Sequence, residues 1–466
     1  MTAISPRIPS VSAFGLNLAV MARLLHTLRD ADWLTFARMR LWALAVLVAS
    51  AGGLVYLLAT SDGLIDFKGR PLGTDFSNVY AAGTYVLESR PEAPFDPRTQ
   101  HAREMEIFGA ATPFYGWHYP PFFLALAAAL ALMPYQLALF VWQAATLLLY
   151  VMMIRAIAAG SIPPLQGEGD RRSRSGGVNA SESAPPGAAH ASPPSPFGGG
   201  ITLLLALAFP AVFVNLGHGH NGFLTAALIG FALVQLDRRP IFAGILFGLL
   251  AYKPQFGILI PLVLAATGRW RSFLAAGTTV ALLVLAATFA FGMDTWRAFF
   301  TFAEYTRITV LETGETGWHK IQSVFSWARM WGAPVTLAYT IQGAVTVVLA
   351  GALVWLWRSP AAFALKAAAL CIATILATPY SLDYDLMVLA PAVAFLALDG
   401  LARGFAPYEK TTLAALWAVP LIARSVAQVA FIPLGVIAML VTFALVMRRA
   451  RTDTGAVPAG IPLTAR

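Results

Sequence analysis

Apolar runs of about 20 residues dominate this sequence, and they limit what the chain can fold into. Examples are residues 41–60, 136–157 and 335–357, which carry almost no charged side chains. A run of this length spans the hydrocarbon core of a bilayer as a helix, and in lipid a helix satisfies all of its own backbone hydrogen bonds. The runs therefore predict an all-α, polytopic integral membrane protein.

The composition agrees with this interpretation. Hydrophobic residues make up 58% of the chain and charged residues 12%, and the mean hydropathy is +0.68. Soluble domains have roughly 45–50% apolar and about 25% charged residues. We predict about 12 transmembrane helices, at 41–60, 136–157, 201–217, 221–236, 240–252, 254–267, 272–292, 335–357, 361–379, 385–402, 411–430 and 431–447.

Basic residues orient these helices. Arg238, Arg269 and Arg448 all lie in short connections, and positive residues favour the cytoplasmic side. The net charge of +9 is explained in this way and needs no nucleic-acid partner. The predicted organisation is a cytoplasmic leader (1–40), a first helix with an outer loop and the helices after it (41–159), a linker (160–200), a transmembrane core with a second outer loop at 293–334 (201–447), and a cytoplasmic tail (448–466).

Two segments break the regular pattern. Residues 119–134 are apolar but short and bounded by proline, and a full span there would reverse every later connection. We predict a re-entrant or interfacial helix, with a short true span as the alternative. Residues 160–200 are rich in Pro, Gly and Ser, which predicts a disordered cytoplasmic linker without a catalytic role.

Polar residues beside apolar spans are costly, and here they gather on the outer side. Asp75 opens a short predicted helix in GTDFSN (73–78). A carboxylate there can deprotonate a hydroxyl group, or it can simply stabilise the start of the helix. Tyr119 lies in FYGWHYPPFF (114–123) and is a candidate for sugar or acceptor contact, although an aromatic belt is the alternative.

The stretch GHGHN (217–221) forms a polar break between two spans. His218, His220 and Asn221 can hydrogen bond to a sugar, and a structural turn is the alternative. Paired histidines suggest a metal, but no third ligand of matching type stands nearby, so we predict neither a metal nor a cofactor. The only cysteine, Cys371, excludes an internal disulfide.

Cations and carboxylates follow on the same side. Lys253, Lys320 and Arg424 are candidates for binding a lipid phosphate. The alternatives are snorkelling for Lys253, a solvated loop for Lys320 and an ion pair for Arg424. Asp383 and Asp385 are candidates for binding sugar hydroxyls, or for capping the helix that follows them.

Taken in order, these stretches resemble glycosyltransferase family 87, the polyprenol-phosphate-mannose-dependent α-mannosyltransferases of the GT-C fold. The matching stretches are Asp75 with VYAAG (79–83), FDP (95–97), YPPFF (119–123), GHGHN (217–221), AGILFGLLAYKPQFG (243–257), RWR (269–271) and TPYSLDYD (378–385). GHGHN departs from the Gly-Gln-Asn type of sequence that is common in the family.

The resemblance implies an inverting transfer of a hexose, expected to be mannose, from a polyprenyl-phosphate donor to a lipid or glycan acceptor. It places Asp75 as the general base and His319 as an assistant at the donor phosphate or the acceptor. It also implies a bacterial inner-membrane protein, surrounded by lipid, with its active site facing the periplasm. A lipid-linked sugar flippase or transporter, or a glycan polymerase or ligase, is the alternative.

Overall fold

A computed structural model describes residues 11–160 and 199–455. In these ranges the chain forms nineteen α-helices: α1 (Val11–Asp30), α2 (Phe36–Ala59), α3 (Thr74–Leu87), α4 (Pro97–Phe108), α5 (Leu124–Ala131), α6 (Tyr135–Gly160), α7 (Gly199–Leu207), α8 (Pro210–His218), α9 (Gly222–Gln235), α10 (Pro240–Leu249), α11 (Leu259–Ala266), α12 (Trp270–Thr306), α13 (Val324–Met330), α14 (Val335–Arg358), α15 (Phe363–Leu376), α16 (Leu389–Arg403), α17 (Glu409–Ala418), α18 (Ala423–Ala430) and α19 (Leu434–Gly455).

Short 3-10 helices extend or connect several of these elements: Ala93–Phe95, Pro121–Phe123, Leu250–Tyr252, Pro254–Gly257, Trp318–Lys320, Asp383–Val388 and Val419–Leu421. Residues Arg307–Glu312 form a π-helix. Extended pairing in the described ranges is limited to three isolated bridges, of which Ile321 with Leu382 joins distant segments. The prediction of an all-α membrane protein is confirmed.

The predicted number of spans is not supported. Within residues 11–160 and 199–455, five helices are long and apolar enough to cross a membrane, or up to seven if two bent helix pairs each count as one span. Five more apolar helices have only 10–17 residues. Proline explains several of the short ones, because Pro240 and Pro254 each start a new helix within the nearly continuous apolar stretch.

Residues 119–134 do not form a long helix. The helical part, Pro121–Ala131, covers about 16 Å at 1.5 Å per residue, well short of the roughly 30 Å hydrocarbon core. This length is compatible with the re-entrant or interfacial helix that the sequence predicts.

The second predicted outer loop, 293–334, is largely helical instead. Helix α12 passes through a kink at Gly292 (φ 80°) and continues to Thr306, and the π-helix then follows it directly. The predicted linker, 160–200, falls almost wholly outside the described residues, as do the ends of the predicted leader and tail.

Glycines allow the close helix contacts that place the site. A Cβ at Gly83 would lie 2.1 Å from the Ala127 carbonyl oxygen, so α3 can approach α5 only with glycine at this position. Gly244 and Gly248 give α10 the same close contact with α12. Such small-residue contacts are typical of helices packed in membranes. Helix α3 is thereby held against the short apolar helix α5.

Candidate functional site

The first predicted site residue, Asp75, lies in the first turn of α3. Gly73 precedes the helix with φ 68°, a left-handed conformation that favours glycine. The Asp75 carboxylate is half-buried. Across residues 11–160 and 199–455 it makes no side-chain hydrogen bond or ion pair, so it is available to a ligand.

The GHGHN stretch packs directly on the start of α3. Gly219 has φ 63°, and a Cβ there would lie 2.7 Å from the Cβ of Phe76 and 3.3 Å from the Cα of Gly73. This contact brings His218 beside the helix, where its Nδ1 lies 2.6 Å from the Thr74 Oγ1. Two predicted site stretches, separated by more than 140 positions, therefore meet at Asp75.

The charged groups around Asp75 come from several distant segments of the chain. Burial raises the pKa of the Asp75 carboxyl above its usual range. His218, Lys253 and Lys320 lower this pKa electrostatically, whereas the negative charge of Asp383 raises it further. Five chain segments thus converge on one polar cluster: the start of α3, the GHGHN turn, and the segments that carry Lys253, Lys320 and Asp383.

Within this cluster, Lys253 and Asp385 are partners of each other. Lys253 Nζ donates to Asp385 Oδ1 at 2.5 Å, and both side chains are buried. Asp385 Oδ2 also accepts the backbone N–H of Leu382 at 2.9 Å. The ammonium lies over the ring of Tyr384, 5.3 Å from its centroid. The charge of Lys253 is therefore largely balanced inside the protein.

Arg424 forms the ion pair that was one of its two predicted alternatives. Its Nη1 donates to Asp383 Oδ2 at 3.1 Å. Asp383 Oδ1 accepts the backbone N–H of Tyr384 at 3.0 Å. The Arg424 side chain remains 40% exposed, so it can contact a second anion without breaking this pair.

His319 and Lys320 lie on a short 3-10 helix that is tied to the TPYSLDYD segment. The Ile321–Leu382 bridge and the bond from Gln322 N to Ser381 O at 2.6 Å join the two chain segments. Burial lowers the pKa of both side chains, and Arg424 lowers them further. Lys320 has no ion-pair partner in the described part of the chain.

His220 and Asn221 turn into the protein. The ring of His220 stacks on Tyr384 with centroids 3.4 Å apart. Its Nδ1 and the Oδ1 of Asn221 are buried and have no hydrogen-bond partner among the described residues. Tyr119 is buried in an aromatic cluster, 4.7 Å from Phe123 between ring centroids.

Sequence reasoning missed residues that build this site. Asn215 donates to the Tyr384 carbonyl oxygen at 3.1 Å and accepts the Gly222 N–H at 2.9 Å, so it fixes the turn against the TPYSLDYD segment. The sequence did contain a signal for it, because Asn215 is a polar residue at the end of an apolar run, two positions before GHGHN. Glu104 was also missed. Glu104 is 0% exposed in the structure. The sequence indicates this only through the helical spacing of Gln100, Glu104 and Phe108, which share one face of α4.

The described ranges contain no group of three His, Cys, Asp or Glu side chains arranged to hold a metal ion. The positive charge of the cluster is supplied by Lys253, Lys320 and Arg424.

The model of glycosyltransferase family 87 matches residues 117–379, more than half of the chain. The chain belongs to glycosyltransferase family 87. It is therefore a membrane glycosyltransferase, and the resemblance seen in the sequence is confirmed. No curated protein and no solved structure matches the chain.

The matched range contains Tyr119, the GHGHN turn, Lys253 and the His319–Lys320 pair. It begins after Asp75 and ends before Asp383, so the family match does not cover either residue. The roles of Asp75 and Asp383 are therefore argued from the geometry of the site.

Proposed function

We propose that this glycosyltransferase transfers a hexose, with mannose the expected sugar, from a polyprenyl-phosphate donor to a hydroxyl group of a lipid or glycan acceptor. The reaction would take place at the periplasmic face of a bacterial inner membrane. The observation that carries the proposal is the Asp75 carboxylate, which has no hydrogen-bond or ion-pair partner among the described residues and interacts electrostatically with Lys253 and Lys320. An acid and several cations are what transfer from a phosphate leaving group requires.

Asp75 is the proposed general base. It takes the proton of the acceptor hydroxyl while the hydroxyl oxygen attacks the anomeric carbon. The bond from that carbon to the phosphate oxygen breaks, and the configuration inverts. Burial raises the pKa of Asp75 and so strengthens it as a base. The contact between His218 and Thr74 holds the turn beside it.

Lys320 and Arg424 are the proposed main contacts of the donor phosphate. Lys253 was an equal candidate on sequence, but its bond to Asp385 uses much of its charge. Lys320 has no such partner in the described ranges, and Arg424 keeps an exposed side chain. The leaving phosphate gains negative charge as the sugar departs, and fixed cations stabilise that change. His319, whose pKa is lowered by burial, would donate a hydrogen bond as a neutral imidazole.

The sugar and acceptor are proposed to contact Tyr119, His218, His220, Asn221, Asp383 and Asp385. Support is strongest for His220 and Asn221, because each has a buried polar atom without a partner among the described residues. It is weaker for Asp385, whose two oxygens already accept hydrogen bonds. We propose that no metal or cofactor takes part beyond the lipid-linked donor.

The direct test incubates purified protein with radiolabelled polyprenyl-phosphate-mannose and candidate acceptors. We expect polyprenyl phosphate to be released only when an acceptor is present, and we expect Asp75→Asn to stop this release. Movement of the intact donor across liposome membranes, without cleavage of its sugar–phosphate bond, would contradict the proposal and support a flippase.

A further inference from the structure

One buried acid that the proposed mechanism does not use, Glu104, lies close to Asp75. It is on α4 and is 0% exposed. Its Oε2 accepts the backbone N–H of Tyr115 at 3.1 Å, and its Oε1 accepts a hydrogen bond from Gln100 Nε2 at 3.2 Å. No cation pairs with it in the described residues. A buried carboxyl group without a cation is costly, and such groups gather at functional sites.

Hydrogen bonds link Glu104 to the helix that carries Asp75. The Nε2 of Gln100 also donates to the carbonyl oxygen of Asn78 at 3.2 Å. Asn78 follows Asp75 by three positions on α3, so the two lie on neighbouring parts of one helical turn. Glu104 therefore ties α4 both to this turn and to the segment that leads to Tyr119.

The electrostatics agree with this geometry. Burial raises the pKa of Glu104 to about 7, and the negative charge of Asp75 contributes to the rise. Glu104 thus changes charge near neutral pH, beside a carboxylate that must stay ionised to act as a base. The charged and titratable groups around it include Asp75 on α3, Tyr115 in the following segment, and Asp66 and Arg70, which act on Tyr115. Its neighbour Arg103 is paired with Glu88 at the end of α3 and with Glu106 on α4.

We propose that Glu104 is a positioning residue whose negative charge makes Asp75 a stronger base. An ionised Glu104 disfavours negative charge on Asp75 and so increases the affinity of Asp75 for the acceptor proton. Glu104 itself touches neither substrate. The consequence for activity rests on the proposed function, because it requires Asp75 to be the base.

The activity test compares the pH dependence of kcat in the wild type and in Glu104→Gln. In the wild type we expect kcat to rise by about threefold as the pH passes 7, because Glu104 ionises there and Asp75 becomes more basic. Glu104→Gln should lack this step and keep the lower rate. Glu106→Gln is the matched control, since Glu106 lies on the same helix but is exposed, and it should keep the step. A step that persists in Glu104→Gln would overturn the proposal.

A second test needs no donor. The pKa of Glu104 in the folded protein, about 7, lies above the 4.5 of a free glutamate. The extra bound proton stabilises the fold below pH 4.5, and this contribution is lost as the pH rises through 7. Thermal unfolding should therefore show Glu104→Gln gaining stability over the wild type above pH 7. The gap should close below pH 4.5.

The same measurement tests the coupling to Asp75. In an Asp75→Asn background the neighbouring charge is gone, so the folded-state pKa of Glu104 should fall. The stability gap should still open near pH 4.5, but it should stop growing at a lower pH than in the wild-type background and be smaller above pH 7. If the stability gap depended on pH in the same way in both backgrounds, the proposal would be overturned, even if the enzyme used another donor. If Glu104→Gln does not fold, the wild type and Asp75→Asn are compared with each other. The loss of unfolding stability as Glu104 ionises should then end at a lower pH in Asp75→Asn than in the wild type. A wild type inactive toward the donor would count against the proposed function and leave this comparison to decide the role of Glu104.

Discussion

Two charged clusters lie at the two ends of one helix and differ in how their charges are balanced. The cluster before α16 contains Asp385, and the cluster near its end contains Asp399, about 20 Å further along the helix. At the Asp399 end, Arg403 donates to Asp399 and Asp453, and Arg449 lies 3.3 Å from Asp399. Every member of that cluster has a partner of opposite charge.

At the Asp75 end the balance is incomplete. Lys253 and Arg424 have carboxylate partners, but Asp75 and Lys320 have none in the described ranges. Arg449 also pairs with Glu409 on α17, so the Asp399 cluster connects α16, α17 and α19 and stabilises their packing. The Asp75 cluster keeps one acid and one cation free, as binding and chemistry require. Pairing, more than the mere presence of buried charge, therefore separates a structural cluster from a functional one.

The largest effect on activity is expected when one aspartate in each cluster is replaced by asparagine. Asp75→Asn should lower kcat by about 10²- to 10⁴-fold, because a general base is lost. Its unfolding temperature should not fall, since no partner is left unpaired. Asp399→Asn should do the reverse, with lower stability and an unchanged kcat per folded molecule. Glycosyl transfer and thermal unfolding measured on both variants would break the comparison if Asp75→Asn kept its activity.

The next effect concerns the buried pair inside the Asp75 cluster. Lys253→Met leaves the Asp385 carboxylate buried without a cation and should cost about 3–5 kcal/mol of unfolding free energy. The double variant Lys253→Met/Asp385→Leu should recover most of that loss, because no uncompensated charge remains. Arg403→Gln is the comparison at the other end, and its loss should be smaller because that side chain is 36% exposed. Equal losses in the single and double variants would argue against the pair.

The smallest effect is expected at the unpaired cation. Lys320→Gln should raise KM for the lipid-phosphate donor by about tenfold, since one charge-assisted contact is lost, with little change in stability. Lys68→Gln, which removes an exposed lysine from the segment before α3, is the matched control and should leave KM unchanged. If both variants raised KM alike, Lys320 would act only through general charge and not through a specific contact.

Much of this could be predicted from the sequence. The apolar runs indicated an all-α membrane protein, and motif order indicated the family. The stretches around Asp75, His218, Lys253 and Asp383 were expected on one side, and in the structure they meet. The extent of α12 was missed because a helix can pass through a kink at Gly292, where the sequence suggested an end.

The partners within the site could not be predicted. Lys253 and Asp385 are 132 positions apart, and nothing local in either segment specifies the other. Glu104 was hidden for a different reason. It stands in PRTQHAREMEIF, a polar helix whose composition predicts exposure to solvent, and only tertiary packing decides which of its four arginine and glutamate side chains is enclosed.

The contact between Gly73 and Gly219 has a consequence for recognising distant relatives. At Gly219 an added Cβ would lie 2.7 Å from the Cβ of Phe76 and 3.3 Å from the Cα of Gly73, so a larger residue there would push the histidine turn away from the acidic helix. At Gly73 an added Cβ would lie 2.8 Å from a methyl carbon of Leu139, and the positive φ of both residues also favours glycine. Relatives that keep this arrangement should therefore retain glycine at both places even where their charged residues differ. A pair of glycines, one before the acidic helix and one between two histidines, is the mark by which this geometry can be traced through diverged sequences.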